Sequence, residues 1–222
     1  MHKVSFRMLC ADEELDSQIK ALRKILPPSM SLNQRSSTWY IDVESDTPED
    51  VKMKYHVDRE LDRLYFLSGT RIKAESCTSS VGVDLKGYFA VKSLVPIGIG
   101  PQRWDYSLGI QLRLWSLSKE TEYSPVRLLL LYQIIELSDV VSATYLNSGE
   151  PPDPLTECRL LRNLVTHAGD VGGEELKRYC EYLGMPALMF DVTDESYLAL
   201  VSSKCQFVED QARQLIRKKM EY

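Results

Sequence analysis

The chain has 222 residues, 44% of them hydrophobic and 27% charged, which is enough apolar material for one large or two small cored domains. Its net charge of −5 is unevenly spread, with 17 Lys and Arg against 15 Asp and Glu in residues 1–119, and 10 against 17 in residues 120–222. That balance excludes the broad basic face with which proteins coat nucleic acid through counterion release, so any RNA contact has to be local or shared between two chains.

In chain order, residues 3–9 read as a strand and 13–26 as an amphipathic helix stopped by Pro27-Pro28, and a further strand covers 38–43. Thr47-Pro48-Glu49-Asp50 supplies a capping residue, a proline for the first turn and two acids favoured by the helix dipole, so a helix is expected to run to about Ser68 before Gly69 closes it. Segments 70–77, 81–94 and 106–117 are rich in β-branched and aromatic residues with partial alternation, punctuated by Gly82, Gly87 and the turn 96–101, and they read as β-type. Residues 1–119 therefore read as an α+β domain. The Gly98-x-Gly100 pair lacks the third glycine, the lysine and the following helix of a phosphate loop and reads as a turn. Trp104, Trp115, Tyr106 and Tyr88 have two readings, stacking on bases or packing a core; aromatic residues in strands ordinarily do the second.

The pattern changes near 118–124. Ser124-Pro125 opens a helix expected over 124–146, Pro151-Pro152-Asp153-Pro154 breaks the chain, and further helices are expected over 155–168, 174–183 and 194–219, separated by Gly169, Gly172, Gly173 and Gly184. Residues 120–222 thus read as an all-α bundle of four to five helices, a size that folds alone.

No apolar run reaches the roughly 18 residues of a membrane span and the first ten residues lack a signal-peptide core, so the chain reads as cytoplasmic, without membrane contact. Five scattered cysteines (Cys10, Cys77, Cys158, Cys180, Cys205) and three separated histidines (His2, His56, His167) form neither a disulfide framework nor a zinc pattern, and no cofactor is expected.

The residues that can carry chemistry lie on the helix after the proline break. With Arg159 at 0° and about 100° per residue, Arg162, Asn163, Thr166 and His167 fall at about 300°, 40°, 340° and 80°, opposite an apolar arc of Leu160, Leu161, Leu164, Val165 and Ala168. Such a polar arc is ordinarily a solvated face. It is also suited to phosphodiester transesterification, in which an imidazole near its pKa takes the ribose 2′-OH proton while a guanidinium fork and an amide neutralise charge growing on the phosphoryl oxygens. One histidine per chain leaves acid and base to be divided between two chains, or between a chain and a water, and a symmetric dimer provides for that. The preceding helix is apolar over nearly its whole circumference except for Glu136, which is expected to be buried and to accept a hydrogen bond from Arg162, Arg159 or His167; a structural bridge to Arg127 or Lys204 is the alternative.

The run Leu160-Leu161-Arg162-Asn163-Leu164-Val165-Thr166-His167-Ala168-Gly169, after a Leu-rich helix holding Glu136 and before a long closing helix, resembles the HEPN superfamily, whose ribonucleases carry Arg, four to six residues, then His. The resemblance covers about 100 residues, from Ser124 onward. It implies a helical bundle, a homodimer joining two motifs in one cleft, and metal-independent endoribonuclease activity of the kind found in toxins and antiviral defence effectors, with an antitoxin or regulatory protein as a further partner. On this reading Arg162, Asn163 and His167 are catalytic, and Glu136, Arg159 and Thr166 support them. The alternative is a catalytically silent HEPN-type module that docks a protein or a nucleotide through the same face. The acidic balance of this half departs from a strong RNA binder, and Arg213, Arg217, Lys218 and Lys219 on the last helix are the basic cluster that offsets it. Residues 1–119 resemble no family; by analogy with multidomain ribonucleases they sense a ligand or recruit the complex.

Overall fold

A computed structural model describes residues 2–9, 15–45, 50–69, 71–76, 104–146, 149–166, 173–185 and 194–221. The chain divides into two compact units, Met1–Asp105 and Tyr106–Tyr222.

In the first unit, β1 (His2–Leu9), α1 (Leu15–Ile25), β2 (Met30–Arg35), β3 (Thr38–Ser45), α2 (Asp50–Ser68) and β4 (Lys73–Ser76) follow one another. The sheet order is β2-β3-β1-β4 and every neighbouring pair is antiparallel. Each β-α-β crossover therefore leaves a gap that a strand of the other fills, the split β-α-β or ferredoxin-like arrangement. Alternation decides which side chains face the helices: Val4 pairs with Val43, Phe6 with Ile41, Met8 with Ala74 and Met30 with Val43. These residues form one core with Ile19, Leu22 and Ile25 of α1 and Val57, Leu61 and Leu64 of α2. The α+β reading holds for this unit. β2 was not anticipated, because Met30-Ser31-Leu32-Asn33-Gln34-Arg35 carries only alternate apolar residues at one end. Gly69, at φ 72°, ends α2 as expected from a residue free to adopt the left-handed region. The expected segment 81–94, Tyr88 and the Gly98-x-Gly100 turn lie outside the described residues.

The second unit is all-helical among the described residues: α3 (Tyr106–Glu120), α4 (Ser124–Glu136), α5 (Pro154–Thr166), α6 (Glu174–Tyr182) and α7 (Glu195–Met220). Two expectations are corrected. Segment 106–117 is not β-type but helix α3, and it belongs with the second unit rather than the first. The alternation of Leu108, Ile110, Leu112 and Leu114 suggested a strand, whereas the buried set is Leu108, Gly109, Gln111, Leu112, Trp115, Ser116 and Ser118, spaced as a helix face. The second correction is that α4 ends at Glu136, not near 146. Asp139 takes φ 53°, and the last-turn carbonyl of Ile134 accepts from Gln111 Nε2 of α3 at 3.0 Å and from the Ser138 hydroxyl at 2.9 Å. With that carbonyl satisfied from outside the helix ladder, the chain is free to leave it.

α4 is the centre of the unit, packed on α3, α5 and α7. Leu128, Leu131, Ile134 and Ile135 are buried there, while Val126 is exposed. The interface of α4 with α3 and α7 contains a buried carboxylate, Glu209, which takes hydrogen bonds from Lys119 on α3, Arg127 on α4 and Arg213 on α7. Burial alone would raise its pKa, but the bonds from Lys119 and Arg127 outweigh that and hold it below the usual carboxylate value. No helix among the described residues is long and apolar enough to cross a membrane.

Candidate functional site on helix α5

α5 begins where Asp153 accepts from the backbone N–H groups of Leu155 and Thr156, both at 3.1 Å. Burial works against the charged form of Asp153, yet hydrogen bonding from the Thr156 side chain and from these N–H groups lowers its pKa. Cys158, Leu160, Leu161, Leu164 and Val165 are buried. The opposite side carries Arg159, Arg162 and Asn163, all partly exposed, and exposed Thr166. The amphipathic face expected of this helix is thus present.

Beside it runs a strap, residues 137–146, which has no regular structure after its first turn. Arg159 holds it down: Nε donates to the Ser142 hydroxyl at 2.8 Å, Nη2 to the Ala143 carbonyl at 2.9 Å, and both Nη atoms to Glu175 of α6. Glu175 also accepts from the Tyr145 backbone N–H at 2.5 Å. The hydrogen bond from Arg159 is the main reason that the Glu175 pKa lies below its ordinary value, and the same bond raises that of Arg159. Arg159 is therefore a clamp between the strap and α6, with its guanidinium spent on structure rather than left for a ligand.

Arg162 is arranged differently. Its Nη2 donates to Glu136 Oε1 at 2.8 Å, and its guanidinium carbon lies 5.1 Å from the centre of the Tyr132 ring. The side chains of Arg162 and Glu136 are 31% and 47% exposed. The expected burial of Glu136 is thus corrected: α4 ends at this residue, so its carboxylate emerges into solvent rather than entering the bundle. Its partner is nevertheless one of those anticipated, Arg162. The alternative partners are taken elsewhere, Arg127 by Glu209 and Lys204 by Glu157. An ion pair this open contributes about 0.2–1 kcal/mol, too little to fix a site alone. Tyr132 is only 7% exposed. Burial, then the Glu136 charge, pushes its hydroxyl pKa up while Arg162 pulls it down; the net rise keeps it a neutral phenol at physiological pH.

Asn163 is half-buried and its amide makes no hydrogen bond among the described residues, whereas the Thr166 hydroxyl donates back to the Arg162 carbonyl at 3.0 Å. Thr166 is therefore occupied by its own helix. His167 lies outside the described residues. Of the basic cluster on α7, Arg213 is committed to Glu209 and Lys219 to Ser107, while Arg217 and Lys218 are exposed. Trp115 is 3% exposed, with the cations of Lys119 and Arg213 near its ring, and is a core residue. Trp104 in the first unit donates to Glu60 and lies under Arg59 at 4.3 Å. Sequence reasoning missed Tyr132, whose side chain is indistinguishable in sequence from its apolar neighbours, and Glu209, the carboxylate that is buried where Glu136 is not.

The described part of the arc thus brings Arg162 together with Tyr132 and Glu136, leaves Asn163 beside Arg162 in the chain with its amide unbonded among the described residues, and diverts Arg159 and Thr166 to structural bonds. Comparison with protein-family models, with curated proteins and with solved structures found no match to this chain.

Proposed function

We propose that the second unit is HEPN-like and that the protein cleaves RNA as a homodimer, without a metal. His167 takes the proton from a ribose 2′-OH, the oxygen attacks the adjacent phosphorus, and the bond to the 5′-oxygen breaks. That oxygen takes up a proton from the second chain's histidine or a water, leaving a 2′,3′-cyclic phosphate and a 5′-OH. Arg162 neutralises charge on the nonbridging oxygens and Asn163 donates its amide to the same group. The observation that carries this reading is the pairing of Arg162, which spends only part of its donor set on Glu136, with the adjacent Asn163, whose amide has no partner among the described residues. Both lie on the partly exposed side of α5.

The test is incubation of the full chain with a mixed RNA pool in EDTA. Cleavage is expected to persist, to leave 5′-OH ends, and to fall at least 100-fold in His167→Ala. Activity seen only with added magnesium or manganese, or 5′-phosphate ends, would end this mechanism. Mixed wild-type and His167→Ala dimers that keep full activity per wild-type chain would remove the shared cleft.

A second reading, a catalytically silent module that docks a protein or nucleotide, is favoured by one observation: Arg162 already has a carboxylate partner, on an acidic half of the chain. Under that reading the RNA pool stays intact, and Arg162→Ala weakens binding without touching any turnover.

A further inference from the structure

Arg162 is the described cation best placed for chemistry, yet its ion pair is too open to hold it in one orientation. Tyr132 and Glu136 are four residues apart on α4, so their side chains share one face of that helix. Glu136 binds Nη2 at 2.8 Å, and the guanidinium carbon lies over the Tyr132 ring, 5.1 Å from its centre. The two contacts differ in kind. A half-exposed carboxylate can rotate and exchange its partner for water, whereas Tyr132, a residue only 7% exposed on the central helix of the bundle, is held by the packing around it. Electrostatic attraction between a guanidinium and an aromatic face is directional and is strengthened by the planarity of arginine.

We propose that Tyr132 is a positioning residue: its ring and Glu136 form a cradle that aims the remaining Arg162 donors at the phosphoryl oxygens of RNA. The inference rests on the ribonuclease reading above. A guanidinium has five N–H donors, so most remain for a ligand after the bond to Glu136. The raised pKa of the Tyr132 hydroxyl is consistent with this, since a neutral phenol brings no negative charge to rival the phosphate's and does not act as a base. The ring is the working part, and the hydroxyl, which also interacts with Arg162, adds a lesser contact. A lysine in place of Arg162 keeps the charge but lacks the planar fork that can face the ring and donate along two directions.

The test uses RNA cleavage by the full chain together with the NMR signal of the Arg162 Nε–H, assigned by its loss in Arg162→Lys. Tyr132→Phe is expected to stay within about 3-fold of wild type in kcat, and Tyr132→Leu to lose about 10- to 100-fold in kcat with KM changed by less than about 3-fold. In wild type and Tyr132→Phe the Nε–H signal is displaced by the ring current, and in Tyr132→Leu it returns to the position of an exposed arginine. A folded Tyr132→Leu protein that cleaves like wild type overturns the proposal. If Tyr132→Leu does not fold, the wild-type signal decides: a displaced resonance supports the cradle and an undisplaced one removes it. Wild-type protein that cleaves no RNA ends the ribonuclease reading instead, and the NMR comparison then supports or overturns the cradle independently.

Discussion

Each unit of this chain buries a glutamate, and the two glutamates respond in opposite ways. Glu60 of α2 is 1% exposed; one oxygen accepts from the Trp104 indole N–H at 2.5 Å, while the other is 3.7 Å from Arg63 and has no hydrogen-bond partner among the described residues. Burial wins there, and the pKa is raised despite the indole bond and the nearby Arg63 and Arg59 charges. Glu209 of α7 is as deeply buried, but Lys119, Arg127 and Arg213 bond to its two oxygens, and its pKa is lowered. The difference lies in direct charge-assisted bonds, which offset desolvation where positive charge in the vicinity does not.

The largest expected effect follows from removing the better-bonded carboxylate. Glu209→Ala should destabilise the second unit by about 3 kcal/mol, since it removes the buried carboxylate that ties three partly exposed cations from α3, α4 and α7 together and leaves a cavity in its place, and the urea midpoint reported by Trp115 measures this. Arg159→Ala comes next at about 2 kcal/mol, because Glu175 loses the bonds that hold its pKa down and the strap loses its clamp. Arg162→Ala, on the same helix but in an open pair, should cost less than about 1 kcal/mol. If those two arginines give equal losses, the distinction between clamp and free donor fails.

The smallest effect is the most diagnostic. Glu60→Gln should change stability by less than about 1 kcal/mol at neutral pH, since the amide oxygen still accepts from Trp104. The pH dependence of the two units should also differ in sign. Glu209, with its pKa lowered by folding, stabilises above the ordinary carboxylate range, and that contribution is lost as pH falls through the folded value. Glu60, with its pKa raised, favours folding below the ordinary range, and this is lost as pH rises through the folded value. The indole N–H signals of Trp104 and Trp115, followed through urea titrations at several pH values, separate the units. Parallel slopes would refute the contrast.

Much of the architecture was legible because it rests on local chemistry. Pro27-Pro28 and Gly69 punctuate α1 and α2, Pro151-Pro152-Asp153-Pro154 breaks the chain before α5, and the polar arc of α5 is set by spacing alone. What was not legible was fixed by partners distant in the chain. Gln111, Ser116 and Ser118 are buried on α3, so the true helix face looked polar and the accidental alternation of leucines looked like a strand. The length of α4 depends on Gln111 reaching the Ile134 carbonyl from another helix. The site shows the same division. Arg162 and Asn163 stand where their spacing puts them, whereas the diversion of Arg159 and the exposure of Glu136 follow from a strap and a helix end that no local pattern announces.

That strap has a consequence for how the second unit opens. It contributes no ladder of its own, and its polar backbone groups are taken from outside: the Ala143 carbonyl by Arg159 and Thr156, the Tyr145 N–H by Glu175, and the Leu146 carbonyl by Arg178. Two of those side chains, Glu175 and Arg178, belong to α6. Strap and α6 are therefore one cooperative unit of local unfolding although some thirty residues separate them, and their slowest amides should share a single opening free energy in native-state hydrogen exchange, distinct from that of α4 and α7.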